Sequence, residues 1–229
     1  MDHGEREEGS ARYLDEPPGA QLMVNLAELG VDFEHWCFAC GRQNPSGLQL
    51  DFNVSTERAE ARYTGDRRHQ GYDGALHGGI VTALLDETMG WAIFHQGIWG
   101  VTGRIAVTFR QPVPVGEELV VTGEVVRERS RAIDTRGKIR RAADHTVLAE
   151  AEALFLRMPE ERRIELEQRY ARSGDVFARI RAAVAAEARE PLGERRENER
   201  TRPGYAGASE PEAEGREPLG ERRRVGGNQ

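Results

Sequence analysis

Cysteine is scarce in this chain, with two among 229 residues. That is too few for a disulfide framework, so a hydrophobic core must hold the fold, and a reducing cytoplasm is the expected setting. No apolar run is long enough to span a bilayer. The opening residues, MDHGEREEG, lack the positive-then-apolar order of a secretory leader. Aromatic residues make up 7% and hydrophobic residues 38%, against 31% charged. This balance points to one core of moderate size diluted by polar segments. Lysine is nearly absent too: Lys138 stands alone, and the other basic residues are Arg. A formal net charge of −7 argues against wholesale nucleic-acid binding. Neither a membrane nor a nucleic acid is expected as a partner.

What is present is organised in blocks. Residues 1–20 are charged and end on Pro17-Pro18-Gly19, and are expected to be disordered. "QLMVNLAELG" (21–30) has helical spacing of Leu22, Leu26 and Leu29, with Gly30 placed as a C-cap. "LQLDFNV" (48–54) and "AEARY" (59–63) alternate as strands do. Residues 78 to about 95 form the first long helix. "VTGRIAVTFRQPVPVG" (101–116) has a period of two: Val101, Ile105, Val107 and Phe109 share one face, and Thr102, Arg104, Thr108 and Arg110 the other. Pro112 and Pro114 end that strand. Segments 117–128, 132–141 and 146–158 supply three more strands, so four strands are expected to follow the helix as an antiparallel meander. An Ala/Arg/Glu-rich helical extension covers 159–190, broken near Gly174. The tail, 191–229, has little apolar content and overlaps a repeated "REPLGERR" (189–196 and 216–223). It is expected to be disordered.

The chemistry concentrates in "HGGIVTALLDETMGWA" (77–92). From Ile80 to Phe94 the helix is apolar except for Thr82, Asp86, Glu87 and Thr88. A carboxylate in a dry site costs several kcal/mol, so it has a partner or a task. A pairing of Asp86 or Glu87 with Arg104 or Arg110 is the plain alternative to a catalytic role. At the helix start, glycines after His77 let a ligand approach unpaired N–H groups at the positive end of the dipole. Gly78 and Asp86 are eight residues apart, roughly 12 Å along a helix. One carbonyl cannot touch both, so if both act they come from different subunits.

The strand–strand–helix–strand order, "HGGIVTALLDETMG", the later "VTFRQPVPVGEELVVTGEV" and the opening "CFACGRQNPSGLQL" together resemble hotdog-fold thioesterases of the PaaI-like, acyl-CoA-hydrolysing group. The resemblance covers about residues 36–158, within a domain placed at 21–158. It implies an α+β fold with a long central helix wrapped by a curved antiparallel sheet. It implies Asp86 as general base or nucleophile, the Gly78 N–H as oxyanion donor, His77 beside the thioester, and Thr102 as a hydroxyl that places water. Acyl-CoA is then the substrate, CoA enters only as part of it, and no separate cofactor is needed. The assembly is a homodimer or homotetramer. Where some members carry an Asn before the HGG motif, this chain has Gly71, with Gln70 adjacent. A hotdog dehydratase would need an acid where Ala83 stands, which disfavours that activity. A non-catalytic acyl-thioester-binding protein is the alternative function.

Two further features belong to the same reading. Ser130 and Arg131, between the predicted strands 117–128 and 132–141, are candidates to hold the phosphates of CoA. Cys37 and Cys40, with His35 nearby, have the spacing of a metal knuckle. Three ligands do not close a structural zinc site, so no metal is expected.

Overall fold

The computed structural model describes residues 23–31, 33–56, 58–170 and 176–187. The segments expected to be disordered, 1–20 and 191–229, and the helix break near Gly174 lie outside the described residues. The strands are β1 (Val24–Asn25), β2 (Phe52–Val54), β3 (Arg58–Thr64), β4 (Gly100–Phe109), β5 (Glu118–Glu128), β6 (Ala132–Arg141) and β7 (Val147–Arg157). The helices are α1 (Gly78–Phe94), α2 (Glu160–Tyr170) and α3 (Val176–Glu187). All seven strands form one antiparallel sheet in the order β1-β2-β3-β5-β6-β7-β4.

One face of this sheet wraps α1. Ala59 and Ala61 of β3, Leu119 and Val121 of β5, Ile133 and Ile139 of β6, and Ala149, Ala151 and Phe155 of β7 are buried there. The helix answers with Val81, Leu84, Leu85, Met89, Ala92 and Ile93. Small residues let the helix sit close. A Cβ on Gly123 would fall 2.8 Å from the Met89 backbone nitrogen, so the helix backbone rests directly on that glycine. Ile180 and Val184 of α3 join the same core, and the Arg179 guanidinium donates to the Leu29 carbonyl at 3.1 Å. Among the described residues, no helix is long and apolar enough to cross a membrane.

Three sequence expectations are corrected. The helix over 21–30 is absent from its described part: Val24 and Asn25 pair with Val54 and Asn53 as strand, and a turn follows. The leucine spacing there serves burial of Leu26, not a helical stripe. The strand expected from residue 48 starts at Phe52, because Gln49 adopts a φ of 51°, outside the extended region. The four later strands are not a simple meander. β4 pairs with β7 at the far edge, and β5 pairs with β3. The Val113–Pro114 connection crosses below the start of α1, where Leu76 N–H donates to the Val113 carbonyl at 2.8 Å and Ala75 bridges Pro114. That crossing carries the chain past the tight return a hairpin needs.

Candidate active site

The start of α1 is held from several sides. Asp66 accepts from the Arg68 N–H at 2.7 Å and caps a short 3-10 turn, Arg67–His69. The His69 carbonyl then accepts the His77 N–H at 2.8 Å, while Tyr63 Oη meets His69 Nδ1 at 2.5 Å. Burial pushes the Tyr63 phenol up to about 12, so its hydroxyl keeps its proton at ordinary pH. His77 is the N-cap itself. Its backbone is extended (φ −63°, ψ 138°), and its ring Nδ1 accepts the Gly79 N–H at 3.0 Å. Among the described residues no acceptor takes the Gly78 N–H. That donor is left at the positive end of a 17-residue helix, where an anionic oxygen is stabilised. Gln70, by contrast, is committed to its own turn: Oε1 accepts from Gly74 N–H at 3.1 Å and Nε2 donates to Asp73 at 3.2 Å.

Two turns further along α1, Asp86 meets β4. Thr102 Oγ1 donates to Asp86 Oδ1 at 2.7 Å. Strict alternation puts Thr102 with Arg104, Thr108 and Arg110, on the face turned away from the helix. The structure corrects this. The register shifts between Thr102 and Arg104, so Thr102 opposes Phe155 while Arg104 opposes Leu154. Gly103 is the extra residue of a β-bulge, and the bulge reverses the alternation. Thr102 therefore shares the helix-facing side with Ile105, Val107 and Phe109, and Val101 is turned outward with Leu156. Among the described residues, neither Arg104 nor Arg110 forms an ion pair with the acid, and Arg110 is bound to Glu150 at 2.9 Å.

β4 runs along α1 in the opposite sense. Its start touches Asp86 through Thr102, and its end brings the Phe109 ring against Gly78, where a Cβ would lie 3.5 Å from Cζ. The sequence offered no sign of this role for Phe109, since the contact depends on where β4 lands. Gly78 and Asp86 thus stand at opposite ends of one helix–strand pair, as the eight-residue spacing requires. Ser130 and Arg131 are exposed in the turn between β5 and β6. Ile133, Phe155 and Thr102 lie in one row across β6, β7 and β4, two strand spacings or about 10 Å in all. The turn is therefore at the Asp86 end of the sheet.

A second cluster lies on the neighbouring flank of α1. Cys37 Sγ is 3.9 and 3.8 Å from the two Glu87 carboxylate oxygens. A hydrogen bond from Cys40 holds the Cys37 thiol down at about 5, and the same contact together with burial pushes Cys40 far up. Burial, with Cys37 adding to it, pushes Glu87 up to about 7. The sequence showed the cysteine pair and the glutamate, but a separation of 50 positions hid their meeting.

Comparison with known proteins agrees with this architecture. Residues 73–148 match the thioesterase superfamily. Mouse acyl-coenzyme A thioesterase THEM4 is 24% identical over 143 residues, 62% of this chain and 56% of that protein. The chain therefore aligns with only about half the length of that relative. Mouse acyl-coenzyme A thioesterase 13 is 31% identical over 65 residues, 28% of this chain and 46% of its own. The crystal structure of RHA08564, a thioesterase superfamily protein, superposes with a TM-score of 0.51 at 28% identity, covering 62% of this chain and 70% of that one. A helix wrapped by a seven-stranded antiparallel sheet, with HGG at its start and an acid two turns on, is the hotdog fold, and residues 73–148 within it match the thioesterase superfamily.

Proposed function

We propose that this protein hydrolyses acyl-CoA thioesters to the free acid and CoA, in the manner expected of the PaaI-like group. The observation that carries the reading is the Asp86 carboxylate fixed by the Thr102 hydroxyl at 2.7 Å. With Oδ1 so engaged, Oδ2 is the oxygen that takes a proton from water or attacks the thioester carbon. The carbonyl oxygen, gaining negative charge as the tetrahedral centre forms, is received by the Gly78 N–H. His77 supports that donor by capping the helix and occupying the Gly79 N–H. Oriented backbone donors of this kind are worth roughly 100- to 1,000-fold in kcat. The relatives named as acyl-coenzyme A thioesterases support the substrate class, and Ser130 with Arg131 is offered as the holder of CoA phosphate. No separate cofactor is required. The cysteines, both free, suit the cytoplasm.

The two halves of the site are joined across a two-fold axis. β4 is an edge strand of ten residues, largely exposed along its length, with Val101 and Phe109 each 52% exposed. A long apolar edge is a template for pairing. Antiparallel pairing of β4 with its own copy sets the Thr102 end of one chain beside the Phe109 end of the other. Asp86 of one subunit then faces the Gly78 N–H of its partner, and the dimer holds two equivalent composite sites.

The test is a panel of acyl-CoA substrates assayed with the wild-type protein and with Asp86→Asn. Hydrolysis by the wild type, with kcat reduced roughly 100- to 10,000-fold in the variant, is expected. A wild type that binds acyl-CoA and hydrolyses none of the panel would instead assign the fold to thioester binding. Turnover in heavy-oxygen water identifies a nucleophilic Asp86: when water opens the acyl–aspartyl anhydride at the aspartyl carbonyl the label enters the Asp86 carboxylate, which a general base never acquires.

A further inference from the structure

The segment Phe33–Leu50 folds over one flank of α1 as a tight knuckle. Gly41 N–H donates to the Cys37 carbonyl at 2.9 Å, Leu48 N–H to Phe38 at 2.8 Å and Leu50 N–H to Ala39 at 2.9 Å. The turn is wound so closely that a Cβ on Gly41 would fall 2.2 Å from the His35 carbonyl oxygen and 2.6 Å from the Cys37 nitrogen. It presents both sulfurs to the helix. Cys37 Sγ, Cys40 Sγ and a Glu87 carboxylate oxygen all lie within 4.8 Å of one another.

We propose that Cys37, Cys40 and Glu87 bind one divalent cation of the zinc class, clipping the 37–40 knuckle to α1. Zinc–sulfur and zinc–oxygen bonds of about 2.3 and 2.1 Å in tetrahedral array separate the donor atoms by roughly 3.6–3.8 Å. The Cys37–Glu87 separations of 3.9 and 3.8 Å need almost no adjustment. The widest pair needs at most about 1 Å, within reach of side-chain rotation. Two sulfurs with one carboxylate favour zinc over magnesium or calcium, which prefer all-oxygen shells.

His35, which the spacing nominates as the next ligand, is otherwise engaged: its Nδ1 accepts the Cys37 N–H at 3.3 Å. The third protein ligand comes from the helix instead. Cys40 is buried and Cys37 partly exposed, so the fourth position opens toward solvent and is filled by water. On binding, the thiol protons and any proton on Glu87 pass to solvent, and the metal takes two thiolates and one carboxylate. The ion would thereby stiffen the helical turn that carries Asp86.

The experiment uses the full chain without a histidine tag, kept reduced, stripped of metal and titrated with zinc and then cobalt. About one zinc per chain retained through desalting is expected, with a rise in melting temperature. Cobalt should give thiolate-to-metal charge-transfer absorption and the strong visible bands of a tetrahedral complex. Cys37→Ser and Glu87→Gln, at partly exposed positions and checked for folding by circular dichroism, should each weaken binding at least about tenfold. Their double variant should retain none. A reduced wild type that retains no zinc, or a double variant that retains as much as the wild type, overturns the proposal. The readout is metal content, so it stands or falls separately from thioester hydrolysis.

Discussion

Thr102 Oγ1 donates to Asp86 Oδ1 at 2.7 Å because a bulge at Gly103 turns the threonine toward the helix. A hydrogen bond to a charged group is worth about 1.5–3 kcal/mol, roughly 10- to 100-fold in rate. Thr102→Val, which keeps the shape and deletes the hydroxyl, should lower kcat by that factor with little change in KM. Thr102→Ser should stay close to wild type. Equal kcat for Val and Ser variants in steady-state assays would remove Thr102 from the site.

The Gly78 N–H can be deleted without breaking the helix. Gly78 is the first residue of α1, and His77 before it is extended at φ −63°, ψ 138°. Proline is tolerated at a first helical position and demands an extended residue before it. Gly78→Pro should therefore fold with near-native circular dichroism yet lose roughly 100- to 1,000-fold in kcat. Gly78→Ala keeps the N–H, and its Cβ meets Phe109 at an ordinary 3.5 Å, so it should lose far less. A fully active proline variant would show that the oxyanion is held elsewhere.

A site shared between two subunits, as proposed, predicts the behaviour of mixtures. Asp86→Asn and Gly78→Pro chains should each be nearly inactive alone. After subunit exchange in equal amounts, half the dimers are mixed, and each mixed dimer carries one intact site and one doubly defective site. Activity should recover to about a quarter of the wild-type value. Recovery no greater than the sum of the parents, with exchange verified by mass spectrometry, would place Asp86 and Gly78 in one subunit's site or outside catalysis.

What the sequence revealed followed from local pattern. The apolar run opening on HGG defined α1, and its bounds came out as expected. What it concealed depends on pairing between distant segments. The leucines at 22, 26 and 29 suggested a helix, but Val24 had a strand partner at Val54. The four later strands read as a meander because nothing local announces that β4 would be carried past β5 to β7. Thr102 fell on the wrong face because a period of two has no memory of a bulge, although Gly103 was the residue in the pattern fit to host one. Glu87 looked idle until the fold brought the 37–40 knuckle against it.

Close seating of α1 on the sheet gives a stability test independent of activity. Gly123 faces the helix backbone, and an added Cβ would sit 2.8 Å from Met89 N and 2.8 Å from Thr88 O. Backbone atoms of a buried helix cannot swing aside, so the sheet or helix must move. Gly123→Ala should destabilise by about 1–3 kcal/mol. Gly90, in the interior of α1, makes the opposite case. Its nearest neighbour would be Phe155 Cε1 at 3.9 Å, an ordinary contact, and alanine is the better helix former by up to about 1 kcal/mol. Urea denaturation of the two variants should therefore move the midpoint in opposite directions. A neutral Gly123→Ala would mean that α1 can lift from β5, and the distance between Asp86 and the sheet would then not be fixed by packing.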